Sequence, residues 1–180
     1  MPASSAQSGE RPPATLIDWL RSRQDTELAV LLRRRPDLAL PAPADLPALS
    51  ARLSVRTSAQ RALEGLDAFT LRALEALVLV ARADGRTSMT EAAPLLGPLE
   101  PRLLQRAVTE LCDVTVIWGE RDALHLVTGV AEAFGPYPAG LGRPAAQLLT
   151  DADSIAALTD PERLGELLAA CDPDERTVLD

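Results

Sequence analysis

The sequence predicts a mainly α-helical protein with one short β-hairpin, and three observations lead there. Leu and Ala dominate an apolar fraction of 47%, while aromatics make up 3% of the 180 residues, a mixture that favours helices over sheets. Apolar residues recur at helical spacing through most of the chain. The exception is the β-branched and aromatic run Val114-Thr115-Val116-Ile117-Trp118, followed after Gly119-Glu120-Arg121-Asp122 by Ala123-Leu124-His125-Leu126-Val127. That pair of runs reads as a hairpin.

Residues 1–14 are Pro, Ser, Ala and Gly without periodicity and are expected to form a disordered tail. Thr15, with Asp18 three residues on, resembles a capping box and opens a short helix to about Arg23. Asp25 is expected to cap a second helix on Leu28, Leu31 and Leu32, whose last turn holds Arg33-Arg34-Arg35 before Pro36 stops it. Pro36 to Pro47 carries four of the 15 prolines and reads as an extended connector. Leu46, Leu49 and Leu53 give one more short helix, and Thr57 or Ser58 is expected to cap the next. Pieces this short cannot stand alone in water. Residues 15–66 are therefore expected to be an N-terminal helical subdomain packed on the adjoining segment from Asp67 onward.

Asp67 to Arg82 is the most hydrophobic stretch of the chain. Asp67 is a good N-cap, and Phe69, Leu71, Leu74, Leu77, Val78 and Val80 wrap nearly all round, which marks a buried helix. Asp84-Gly85-Arg86 signals a turn, Ser88 with Glu91 a capping box for a short helix ending at Leu96-Gly97, and a third helix is expected from about Leu99 to Cys112. Three helices, the last two joined by a short Gly/Pro turn, and then a hairpin follow the chain order of a winged helix-turn-helix. Residues 67–134 are assigned to it. Breakers crowd residues 135–144, a linker, and residues 145–180 form an acidic helical segment with helix starts at Pro144, Asp153 and Asp160. Asp172-Pro-Asp-Glu reads as the opening of a further helix, so a longer protein is expected.

The net charge of -8 is unevenly spread. Residues 1–60 hold eight cations against six acids, residues 61–143 eight against eleven, and residues 144–180 two against nine. Every cation is Arg, and neither Lys nor Asn occurs, which reflects codon pressure from a GC-rich genome and says nothing of function. So acidic a chain is not a bulk nucleic-acid coat, and any DNA contact must come from a local cluster. No stretch reaches 18 consecutive apolar residues, and Met1 to Pro13 lacks the basic and apolar regions of a secretory signal. A cytoplasmic protein without a membrane partner is expected.

The presumed recognition helix carries the best functional signal. Arg102, Gln105, Arg106 and Thr109 fall at i, i+3, i+4 and i+7 on one face, with Leu103, Leu104, Ala107, Val108 and Leu111 on the other. Arg and Gln are the side chains that make bidentate contacts with guanine and adenine edges, and Thr reaches a base or a phosphate. Any amphipathic helix also has a polar stripe, and Glu100, Glu110 and Asp113 at its margins would repel phosphate, so duplex DNA and a protein partner both remain open. Arg121 at the wing tip suits a phosphate or minor-groove contact, or a merely solvated turn of mixed charge, and Arg86 before the second helix suits a backbone contact or plain solvation. Arg33-Arg34-Arg35, with Arg21 and Arg23 nearby, is the one dense positive patch. It either steers an acidic partner or a nucleic-acid backbone, or simply complements the dipole of its own helix.

No active site, metal set or cofactor site is expected. A phosphate loop with Lys is impossible without Lys, and a triad would rest on His125 alone, which sits in a strand between apolar neighbours. Cys112 and Cys171 lie far apart and read as buried small hydrophobes rather than ligands or a disulfide. Asp172-Pro-Asp-Glu is a helix start with N-terminal charges rather than a carboxylate pair in a cleft.

Several phrases carry a resemblance: Ile17-Asp-Trp-Leu-Arg-Ser-Arg, Leu31-Leu-Arg-Arg-Arg-Pro-Asp-Leu-Ala, Asp67-Ala-Phe-Thr-Leu-Arg-Ala-Leu-Glu-Ala-Leu, and the stretch from Val127 to Pro144 with Gly-Pro-Tyr-Pro-Ala-Gly-Leu-Gly. Together they resemble the N-terminal region of actinobacterial helicase-associated proteins that carry an XPB-like domain. The resemblance implies a DNA-repair or transcription context, a helicase or other protein partner, and further winged-helix units in a longer chain. It implies no helicase activity here, because the sequence has no ATP-binding loop.

Overall fold

A computed structural model describes residues 13–98, 100–120, 123–143 and 145–179. The expected tail falls, up to residue 12, outside them. The chain divides into two compact units, Met1–Ala139 and Gly140–Asp180. Among the described residues no helix is long and apolar enough to cross a membrane.

The first unit is mainly helical. Thr15 caps α1 (Leu16–Ser22) by accepting the Asp18 amide. Then come α2 (Asp25–Arg34), α3 (Pro36–Ala39), α4 (Leu46–Leu53), capped by Asp45, and α5 (Arg56–Glu64). Three expectations change here. Gln24, not Asp25, caps α2, closing a capping box with Glu27. Pro36 stops α2 but starts α3, because at the first helical position its missing N–H costs nothing. Val55 takes the cap of α5, and Ser58 is buried inside that helix with a different task.

Asp67 caps α6 (Ala68–Leu79) through the Thr70 amide, as the sequence predicts. The helix is one-faced rather than buried all round: Ala73, Leu74, Ala76 and Leu77 are buried while Leu79 is exposed. A two-residue strand, β1 (Arg86–Thr87), then precedes α7 (Met89–Ala92), a 3-10 turn (Ala93–Leu96) and α8 (Pro101–Asp113). Ser88 stands at the cap of α7, but no side-chain bond closes the expected box with Glu91.

The hairpin is present with a shifted frame. Its strands are β2 (Ile117–Glu120) and β3 (Ala123–Leu126), paired Trp118 to His125 and Gly119 to Leu124. Val114, Thr115 and Val116, read as strand for their β-branching, form instead the buried turn out of α8, with Thr115 at φ 52. β1 pairs with β3, Arg86 to His125, so the antiparallel sheet runs β1-β3-β2. A helix that the sequence pattern did not announce, α9 (Thr128–Phe134), packs on α5. It does so through Gly129, whose Cα lies so near the Ser54 carbonyl that an added Cβ would sit 2.8 Å from the oxygen.

One core joins these pieces. Leu20, Leu38, Leu53, Leu74, Leu77, Leu111, Ile117, Leu124 and Val130 are all fully buried in it, each stabilising the fold by roughly 1.5–3 kcal/mol. The short N-terminal helices thus close over the same core that α6, α8 and the sheet build.

The second unit holds α10 (Ala145–Leu148), α11 (Ala152–Thr159), α12 (Pro161–Ala170) and α13 (Pro173–Leu179). Asp151 caps α11, with the expected Asp153 in its first turn, and Asp160 caps α12. Leu158, Leu167 and Leu168 are exposed.

Candidate nucleic-acid interface

Helix α8 is oriented by its buried side. Ala107 and Leu111 are buried, and α8 packs along α6. Arg102, Gln105, Arg106 and Thr109 consequently fall on the opposite side, and all four are exposed. Thr109 donates its hydroxyl to the Gln105 carbonyl at 2.9 Å, so toward solvent it offers its methyl and lone pairs. Neither Arg102 nor Arg106 forms an ion pair among the described residues. The expected apolar side is narrower than its pattern: Leu103 is exposed, and Leu104 and Val108 are half-buried along a groove of about 280 Å3 that Met89 and Ala93 close from the other side.

Two of the acids beside this face, Glu110 and Asp113, share one guanidinium from α2, which offsets part of their charge. Arg34 bonds Glu110 at 2.9 Å and Asp113 at 3.4 Å, and the Thr70 hydroxyl reaches Glu110 at 3.5 Å. Arg35 turns the other way, into the core. Its guanidinium takes both oxygens of Asp37 at 2.9 Å, and also donates to the Val114 carbonyl at 3.0 Å and to the Ser58 carbonyl and hydroxyl at 2.8 and 2.6 Å. Ser58 in turn donates to Asp37.

The run Arg33-Arg34-Arg35 is therefore not a free positive patch. Two of its three charges are consumed by carboxylates, and Arg33 donates to the Ala29 carbonyl of its own helix. Arg21 pairs with Asp18, while Arg23 pairs with Glu27 and lies 4.6 Å over the Trp19 ring. Reasoning from the sequence missed Arg34 and Arg35 as organisers of α8. The one local signal is the spacing Arg35-Pro36-Asp37, in which a proline turn returns a carboxylate to the preceding guanidinium.

Arg121 lies outside the described residues. Arg86 is exposed on β1, 3.2 Å from Asp84. Across the sheet His125 stacks on Trp118, with ring centroids 4.2 Å apart and planes at 13°. Burial, and after it the Arg86 charge, hold the His125 pKa below its usual value. Cys112 and Cys171 are half-buried rather than buried. Burial pushes the Cys112 thiol up to about 11, which removes the thiolate that reactivity requires. Among the described residues no three metal-ligating side chains converge.

No known protein family matches the chain, and neither the curated proteins nor the solved structures yield a match. An exposed helical face with an amide and two guanidinium groups that are unpaired among the described residues can donate to base edges and to phosphates, while the Thr109 hydroxyl, its proton given to Gln105, can accept.

Proposed function

We propose that residues 67–134 act as a winged helix-turn-helix whose α8 reads duplex DNA, in a non-catalytic module of a longer helicase-associated protein serving repair or transcription. Support for the fold reading is the order helix, strand, helix, helix, hairpin with sheet order β1-β3-β2. The observation that carries the DNA reading is the exposed pair Arg102 and Arg106 on α8, without an ion pair among the described residues, beside two acids that Arg34 contacts. A chain of net charge -8 binds a polyanion only through a local cluster of cations, and Arg34 offsets part of the acidic charge beside the exposed face. The repair or transcription context rests on the resemblance of the sequence phrases alone.

A second reading has its own observation. The groove between α7 and α8, lined by Met89, Ala93, Pro101 and the half-buried Leu104 and Val108, suits a docked side chain from a protein partner. Titration of the chain with duplex DNA at several salt concentrations separates the two. Phosphate contacts lose affinity steeply with salt. No binding to duplex at low salt removes the DNA reading and leaves docking.

A further inference from the structure

A cleft of about 600 Å3 lies against the β1 edge of the sheet and the hairpin, with the first turn of α7 among its walls. That volume is in the range of small-ligand sites. Its charged lining is Arg82, Arg86, Glu91 and Glu120, and one cross-strand row fixes the ring that faces it. Arg86, His125 and Trp118 are neighbours in register on β1, β3 and β2, so they share one face of the sheet. Trp118 is buried, and the His125 ring stacked on it is held flat and only half-buried.

Arg82 and Arg86 both line the cleft. Each touches one carboxylate, Glu91 at 3.6 Å for Arg82 and Asp84 at 3.2 Å for Arg86, with side chains 67% and 64% exposed. Ion pairs that open to solvent contribute little. A phosphate, with more oxygens and more charge than either carboxylate, can take over such guanidinium groups in bidentate fashion.

A fixed flat ring beside two exchangeable guanidinium groups, in a cleft sized for one small ligand, matches a base joined to a phosphate. We propose that this cleft binds a nucleotide, its base against His125 and its phosphate on Arg86 and Arg82. The nucleotide is either free or an unpaired residue of a strand. Neither group belongs to α8, so the site stands independently of the duplex reading.

The test titrates the full chain with a fluorescently labelled short oligodeoxyadenylate, with AMP as competitor and Trp emission as a second readout. The oligonucleotide is expected to bind, and Arg86→Ala and His125→Ala each to weaken it about tenfold, the scale of losing one stacked base or one charged contact. His125→Phe, which keeps the flat ring, is expected to retain most of the affinity. Arg102→Ala on α8 is expected to leave single-strand binding unchanged. Competition by AMP makes the free nucleotide a sufficient ligand, and binding without competition assigns the cleft to a strand; both support a nucleotide there. Failure of both probes to bind the parent chain overturns the proposal, as does binding that neither the Arg86 nor the His125 variant weakens, or an equal loss in Arg102→Ala.

Discussion

The guanidinium of Arg34 bonds the Glu110 carboxylate at 2.9 Å and reaches Asp113 one turn further along α8. A residue of the N-terminal helices thereby sets the electrostatics of a helix 76 positions away. Arg34→Ala should unmask two acids beside the arginine face. Duplex binding is expected to fall about threefold to tenfold at low salt, the scale of one or two added surface charges near a phosphate. Because the pair is partly exposed, thermal stability should change little. Adding Glu110→Gln and Asp113→Asn to Arg34→Ala should restore the affinity, and a triple variant as weak as the single one would mean that Arg34 acts some other way.

The two sides of α8 should respond in opposite ways. Arg102→Ala or Arg106→Ala is expected to cost on the order of 1–3 kcal/mol in duplex binding and to flatten the salt dependence, with the melting curve unchanged because both side chains are exposed. Leu111, fully buried, is the structural counterpart, and Leu111→Ala should destabilise by about 2–5 kcal/mol. Leu104, which the sequence pattern places in the same core, is only half-buried in the groove. Its truncation should cost about 1 kcal/mol in the melt, roughly the loss of partly buried methylenes. Parallel calorimetric melts and DNA titrations of the four variants check the pattern.

Much of this was legible in the chain because the signals are local. Thr15 and Asp67 cap the helices they announce, Leu46, Leu49 and Leu53 mark α4, and the spacing Arg102, Gln105, Arg106, Thr109 gave the exposed side of α8. What stayed hidden depends on distant partners. Arg35 looks like one more cation completing a helix end, and only contacts with Ser58 and Val114, 23 and 79 positions away, take it into the core. β1 is two residues long, too short for any alternation, and exists because β3 pairs with it. Val114 to Val116 carry strand-forming side chains, yet tertiary burial at the end of α8 turns them, so propensity lost to packing. The cleft beside His125 was equally invisible, since Arg86, His125 and Trp118 meet only through the sheet register.

Gly129 offers a sharp test of the packing between α5 and α9. In an isolated helix Gly→Ala stabilises by roughly 1 kcal/mol. Here a Cβ would lie 2.8 Å from the Ser54 carbonyl oxygen and the Val55 carbonyl carbon, and 2.9 Å from the Arg56 amide nitrogen, all of them backbone that cannot swing aside. Gly129→Ala is expected to destabilise by about 1–3 kcal/mol as the two helices are pushed apart. A melt at or above that of the parent chain would show that the two helices do not approach this closely in solution.

The pair Arg35–Asp37 makes the last prediction, because its charges are almost wholly enclosed, with side chains 4% and 9% exposed. Removing one partner leaves the other charge buried without compensation, so Arg35→Ala should cost about 3–5 kcal/mol. It should also loosen the end of α8, since Arg35 holds the Val114 carbonyl. Burial raises the Asp37 carboxyl, but the hydrogen bonds from Arg35 and Ser58 and the guanidinium charge outweigh it and leave the pKa below the ordinary carboxylate value. The unfolded chain therefore takes up the Asp37 proton at a higher pH than the folded chain does. This contribution to stability is complete above the range where an unfolded aspartate titrates, and is lost as the pH falls through the lower, folded value. Denaturant melts taken from pH 6 downward should show the parent losing stability over that acid range. Asp37→Asn, weaker at neutral pH, should lose less over the same interval, and parallel pH profiles for the two chains would show that Asp37 is not held by Arg35 in solution.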